Sequence, residues 1–136
     1  MTVSHSIRCL NVNYLGKCVL CDQQLETIQH ILISCVFSRN IWWQVLSRVG
    51  LQLVSPGLEV SMFQDWWSVA EGLVPVLHRN GFNTLVILVA WWIWKHRNAC
   101  VLDGVSPNTS SVLQHIHEDA RLWELAGAKA LRRLWP

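Results

Sequence analysis

CVLCDQQLETIQHILISCVFSRNIWWQVL, residues 18–46, is the stretch whose reading decides the fold. Cys18, Cys21, His30 and Cys35 are spaced C-x2-C-x8-H-x4-C within it. A tight C-x2-C puts two thiolates on one ion from a single turn. An imidazole and a third thiolate from the following segment then complete a tetrahedron. Cys3His is a structural zinc set that leaves no open position for a reactive water. Soft thiolates with one imidazole select zinc over calcium or magnesium. The competing reading is a group of buried thiols beside a core histidine, since free cysteine is often simply buried. Cys9 and Cys100 lack near partners and read as plain thiols; His5 and Cys9 are the substitute ligands should one of the four fail.

The spacing constrains the backbone as well. In one unbroken helix, residues five apart point about 140° away from each other. His30 and Cys35 therefore cannot share a continuous helix and one ion. The expectation is a helical turn over residues 27–33, with Thr27 and Ser34 as candidate caps, a break near 34–35, and a new helix from Val36. Val36, Phe37, Ile41, Val45 and Val49 then recur at helical spacing, and Gly50 is a helix stop.

Working outward, 51–60 holds Pro56 and Gly57 and reads as a loop; 61–73 reads as a short helix capped by Ser61 and followed by Pro75. Residues 78–81 read as a polar turn, with Asn83 capping a helix over 84–101 and Asp103-Gly104 ending it. Several candidate caps between Ser106 and Ser111 precede a last helix that carries Arg132 and Arg133 near its end, where cations suit the helix dipole. No stretch alternates for long enough to make a central strand. The fold class is thus mainly α: a small Cys3His knuckle followed by a bundle of about four helices. Within one domain, 1–17 is an irregular lead-in, 18–50 the knuckle and first long helix, and 51–136 a Trp-rich helical region packing on it.

Composition limits function. Of 136 residues, 51% are hydrophobic and 15% charged, against an average near 25% charged, and the net charge is +2. That rules out a disordered tail. Residues 1–68 carry four basic and four acidic side chains, 69–136 seven and five, so no half is strongly basic. The N-terminus has no apolar stretch of the secretory kind, and five cysteines do not make a complete disulfide set. An intracellular address, nuclear or cytoplasmic and not secreted, is expected. LVILVAWWIW, residues 85–94, is ten residues long, half of what a membrane span needs, and polar residues flank it. It reads as a buried helix, with attachment at a membrane surface as the minor alternative.

Catalysis is not expected: the nine acids form no paired-carboxylate motif, His115 and His117 fall on different helix faces, and no phosphate loop or serine elbow is present. No small-molecule substrate is implied. Two binding readings remain. Lys95, His96, Arg97 and Asn98 form one polar cluster and Lys129, Arg132 and Arg133 another, a source of phosphate contacts to single-stranded RNA or DNA; equally, such cations simply suit helix ends. Nine tryptophans exceed what a small core needs. Trp42, Trp43, Trp66 and Trp67 read first as core, and any surplus left at the surface would serve a protein partner or self-association.

The stretch 18–46 resembles the zinc-binding domain that follows the reverse transcriptase in plant LINE-type (non-LTR) retrotransposons. The resemblance rests on the Cys18/Cys21 pair, Glu26-Thr27, His30, Cys35 and the Trp42/Trp43 helix. WWIWKHRNACVLDG, residues 91–104, is similar to that family's Trp-Lys-x-Arg-Asn block, and 115–134 to its C-terminal extensions. The polymerase's Tyr-x-Asp-Asp is absent from this chain, which therefore looks like a stand-alone fragment of a polyprotein. The resemblance implies zinc binding and contact with RNA or DNA.

Overall fold

The computed structural model describes residues 16–134. The lead-in up to residue 15, with His5 and Cys9, lies outside the described residues. Among those described there is no strand, only an isolated antiparallel bridge between Lys17 and Leu25 that closes the Cys-x2-Cys loop. Five α-helices follow: α1, Val36–Arg48; α2, Phe63–Leu73; α3, Arg79–Asp103; α4, Thr109–Leu125; and α5, Lys129–Leu134. A π-turn, His30–Ser34, precedes α1. The mainly α architecture read from the sequence is the one observed.

The helix stops are where the glycines put them. Gly50 and Gly104 adopt left-handed φ values of 77° and 71°, and Leu51 N–H donates back to Leu46 O at 2.8 Å, which satisfies a carbonyl left open at the end of α1. Asn108 caps α4 by accepting from Ser111 N–H. At α2 the structure departs from expectation. Met62, not Ser61, holds the cap position and offers no cap. The free Phe63 N–H is taken instead by Gln29 Oε1 at 2.6 Å, a side chain 34 positions away.

α3 is the axis of the bundle, and it is longer than the pattern implied. It begins at Arg79, not after Asn83, so residues 79–83 are helical rather than a turn with a cap. Asn83 is occupied laterally: it accepts from the Trp67 indole N–H at 2.8 Å and donates to Glu71 Oε2 at 2.6 Å. Tertiary partners thus override its capping propensity. Gly81 sits where α5 crosses α3; a Cβ there would lie 2.4 Å from Ala130 O. The last helix is also not continuous. α4 stops at Leu125, the chain turns through Gly127 at φ 113°, and α5 folds back onto α3.

Phe82, Leu85, Val86, Leu88, Val89 and Ile93 of α3 are fully buried. Around them pack Ile41, Trp42, Val45 and Leu46 of α1, Trp66 and Ala70 of α2, and Val112, Ile116 and Ala120 of α4. Trp42, Phe63 and Trp66 form a tilted aromatic cluster, with Trp42 and Trp66 centroids 4.8 Å apart. No helix among the described residues is long and apolar enough to cross a membrane.

Because the Gly81 site faces backbone rather than a flexible side chain, Gly81→Ala is expected to lift α5 off α3. The predicted cost is about 1–3 kcal/mol, the usual range for overpacking, despite alanine's better helix propensity. Urea denaturation of both proteins measures it; a neutral or stabilising effect would contradict this packing.

Candidate metal centre

The metal site begins with where the backbone hydrogen bonds go at the break before α1. Thr27 starts a helical turn, its hydroxyl accepting from His30 N–H at 3.0 Å and its carbonyl from Ile31 N–H at 2.9 Å. The turn then widens to π geometry: Cys35 N–H donates to His30 O at 2.7 Å, a five-residue bond. That is the spacing between the third and fourth ligands. Cys35 is extended, ψ 138°, and α1 starts after it. Two more carbonyls freed by the break are taken by side chains of α1. Ser38 Oγ donates to Ile31 O, and the Trp42 indole N–H donates to Leu32 O at 2.8 Å. An abrupt break is tolerable in a buried site because each of these groups has a partner.

The Cys18–Cys21 half is a tight loop. Asp22 N–H donates to Cys18 O at 2.7 Å with Asp22 in the left-handed region, φ 56°, which aspartate tolerates better than most residues. Leu20 N–H donates to Cys18 Sγ at 3.3 Å.

These two pieces bring one donor atom from each of Cys18, Cys21, His30 and Cys35 to within 4.8 Å of one another. Cys18 Sγ and Cys35 Sγ are 3.8 Å apart, and Cys21 Sγ is 3.3 Å from His30 Nε2. With Zn–S near 2.3 Å and Zn–N near 2.0–2.1 Å, a regular tetrahedron has S···S edges of about 3.8 Å and S···N edges of about 3.5 Å. A disulfide would need sulfurs about 2.05 Å apart. The donor set and its size therefore fit zinc. Cys18, Cys35 and His30 are buried and Cys21 is partly exposed. His30 presents Nε2 to the cluster, while its Nδ1 is buried without a partner among the described residues.

Electrostatics point the same way. The hydrogen bond from Cys35 is the main influence holding Cys18 below its ordinary thiol value, down to about 5, against the opposing effect of burial. That same bond, then burial, then the charge on Cys18, pushes Cys35 up. A zinc ion would hold both sulfurs as thiolates. Cys100 lies outside the cluster, and burial raises its pKa.

The partner of Arg97 was not readable from the sequence. Arg97 is 1% exposed and pairs with Glu26, buried beside the knuckle: its Nε donates to Glu26 Oε2 at 3.1 Å, and its terminal nitrogen reaches the same oxygen. It also donates to Asn98 Oδ1 and lies over the Trp94 ring. The Glu-Thr of the knuckle and the Lys-x-Arg-Asn block are thus two halves of one ion pair, 71 positions apart. Residues 95–98 are thus not one exposed cluster. His96 is buried as well, stacked on Phe37 at 5.5 Å and accepting from Asn108 N–H at 3.0 Å; burial lowers its pKa, with His115 adding to the effect. Of that cluster only Lys95 is exposed, over the Trp91 and Trp92 rings. Lys129, Arg132 and Arg133 are all exposed. Trp42 and Trp66 are core residues, so neither can be offered to a partner; Trp67 is half-buried and Trp43 is 53% exposed.

The family model described as zinc-binding in reverse transcriptase matches residues 1–42, which include all four ligands. No curated protein and no solved structure matches the chain. The matched segment, the Cys3His donor set and its dimensions agree on zinc as the cofactor.

Two outcomes are expected. Cys35→Ser should lower bound zinc in elemental analysis and shift denaturation to lower urea, whereas Cys100→Ala should keep its metal. A 100-fold loss of affinity alone removes about 2.7 kcal/mol at saturating metal. Separately, Glu26→Gln or Arg97→Gln removes one charge of this buried ion pair and leaves the other without its counter-ion, and should cost about 3–5 kcal/mol. The double variant should cost less than the sum of the two, as a double-mutant cycle measures; strict additivity would contradict the pairing.

Proposed function

We propose that this chain is a non-catalytic zinc-binding module of retrotransposon origin, of the plant LINE type, that contacts single-stranded RNA or DNA inside the cell. The observation that carries the reading is the four-donor cluster inside the segment that matches the zinc-binding model of reverse transcriptases. A Cys3His set saturates a tetrahedral ion and leaves no position for activating water, so the centre serves as scaffold. The contact with nucleic acid is supported by the exposed cations Lys129, Arg132 and Arg133 on α5, with Lys95 on α3. They lie on helices, and phosphate contacts of this kind position a strand without reading its sequence.

A second reading, a domesticated regulatory protein working through protein–protein contact, is favoured by one specific feature. Ile28, Leu32, Phe63, Trp67, Trp91 and Trp94 border an apolar groove of about 340 Å³ beside the knuckle. Ile28 and Trp91 are each 52% exposed there. Exposed apolar surface of this kind, with aromatic anchors, suits a protein partner better than phosphate.

Electrophoretic mobility shifts with zinc-loaded protein and a single-stranded oligonucleotide separate the two. The expected result is a complex that weakens steeply with salt. Replacing Lys129, Arg132 and Arg133 by glutamine should flatten the log–log salt slope by about 2, from roughly 0.7 per phosphate contact on single strands. No complex at low salt would reject the nucleic-acid reading; self-association or a defined protein complex through the groove would favour the second.

A further inference from the structure

Met62, Asp65, Trp66, Val69, Ala70 and Leu73 recur at intervals of three and four along α2 and so share one face of it. The loop before α2 stands across from that face, and between them lies a groove of about 420 Å³. Leu53, Gly57 and Glu59 line it from the loop. The loop wall is tied down. The Trp66 indole N–H donates to Val54 O at 2.8 Å, and Val60 N–H closes a turn on Gly57 O at 3.3 Å. The groove shares no residue with the metal cluster or with the Trp-lined groove.

The groove is mostly apolar, and its charge is of one sign. Trp66 and Ala70 are buried beneath it, whereas Met62 and Val69 stay exposed, Leu73 is 67% exposed and Leu53 95%. Single exposed apolar side chains are ordinary; four gathered on one groove mark a binding surface. Between Arg48 and Arg79 the chain holds Glu59, Asp65 and Glu71 and neither Lys nor Arg, a charge of −3 in a chain of +2 overall. Glu71 is taken by the Asn83 amide. Glu59 and Asp65 line the groove, one from each wall, and no cation among the described residues pairs with either. Gly57 leaves room for the Glu59 carboxylate, whose oxygens would be 2.6 Å from a Cβ at that position. Such a surface repels phosphate, and with it nucleic acid and anionic lipid, and attracts cations.

We propose that this groove docks an amphipathic helix of another protein, one with a stripe of leucine-like side chains flanked on both sides by Lys or Arg. The stripe covers Leu53, Val69 and Leu73, and the flanking cations meet Glu59 on one wall and Asp65 on the other. A helix is the form that fits, because the groove offers no strand edge. Its walls are a helix and a loop, so the ligand must satisfy its own backbone. α2 spans 11 residues, about 16 Å, which is room for about three turns of a partner. Apolar burial supplies the affinity, and the paired charges select basic partners over acidic ones. The inference depends on neither reading given above: it concerns a separate face and needs no nucleic acid.

The test uses the full, zinc-loaded chain and three labelled peptides of about 14 residues, long enough to run the length of α2. The first carries leucines at i, i+3, i+4, i+7 and i+11 between flanking lysines. The second has glutamates in place of the lysines. The third keeps the composition of the first and scrambles the stripe. Fluorescence anisotropy should show the first peptide bound and the other two weaker by about tenfold or more. Asp65→Lys should weaken the first peptide and strengthen the second, whereas Glu118→Lys, the same change of charge on α4, should alter neither. Val69→Ser, at an exposed position, should weaken the first peptide roughly tenfold, the loss of one apolar side chain buried on docking. Unchanged zinc content and helical signal in each variant exclude unfolding. The proposal is overturned if the first peptide does not bind, if basic and acidic peptides bind alike, or if Asp65→Lys and Val69→Ser bind like the parent. An equal effect of Glu118→Lys would trace the preference to net charge and overturn it too. It also fails if the chain alone assembles and Val69→Ser returns it to monomer, since a second copy is then the occupant.

Discussion

Three sulfurs and an imidazole cannot be packed within 4.8 Å of one another, mostly out of water, and stay as they are. As thiols they waste a buried, polarisable cluster; as thiolates they repel at a few ångströms in a medium that screens poorly. A divalent cation resolves the conflict. Zinc in such peptides is worth about 10–16 kcal/mol of apparent binding free energy, enough to carry folding itself. Around that constraint the rest of the local structure is arranged. The π-turn exists because the last two ligands are five residues apart, and Ser38 and Trp42 lie where they do because the turn frees carbonyls that must be met.

The knuckle is too small to have a core of its own, so its geometry matters only if it is passed on. Two routes do this. Glu26, in the strand-like return after the Cys pair, is bound by Arg97 near the C-terminal end of α3. Gln29, just ahead of the π-turn, receives the first free amide of α2. A buried ion pair is weak evidence of net stability, yet it is costly to break and it fixes one arrangement over others. The centre therefore sets the angles at which α1, α2 and α3 meet, and with them the Trp-lined groove. No reaction chemistry is asked of the ion.

What the sequence made legible was local. The four ligands, the need for a break before Val36, the first helix and the glycine stops at Gly50 and Gly104 all depend on neighbours within a turn or two. What it hid were choices made by distant partners. The helix over 79–83 reads as a turn until Asn83 is seen bridging Trp67 and Glu71. Arg97 and His96 look like surface groups at a helix end until Glu26 and Asn108 are placed beside them. In the adjacent pairs 42/43 and 91/92, composition cannot say which ring turns inward, and the answer decides both the core and the available surface.

Cobalt substitution addresses the central claim most directly, because a Co²⁺ ion reports its own ligands optically. Titrating the metal-stripped chain with Co²⁺ should give one equivalent bound per chain, with intense visible bands and sulfur-to-cobalt charge transfer typical of a tetrahedral thiolate site. Helical signal should rise in step, and Zn²⁺ should displace the colour. A chain that takes up no cobalt, or that shows weak six-coordinate bands while keeping its full helical signal, would contradict the account.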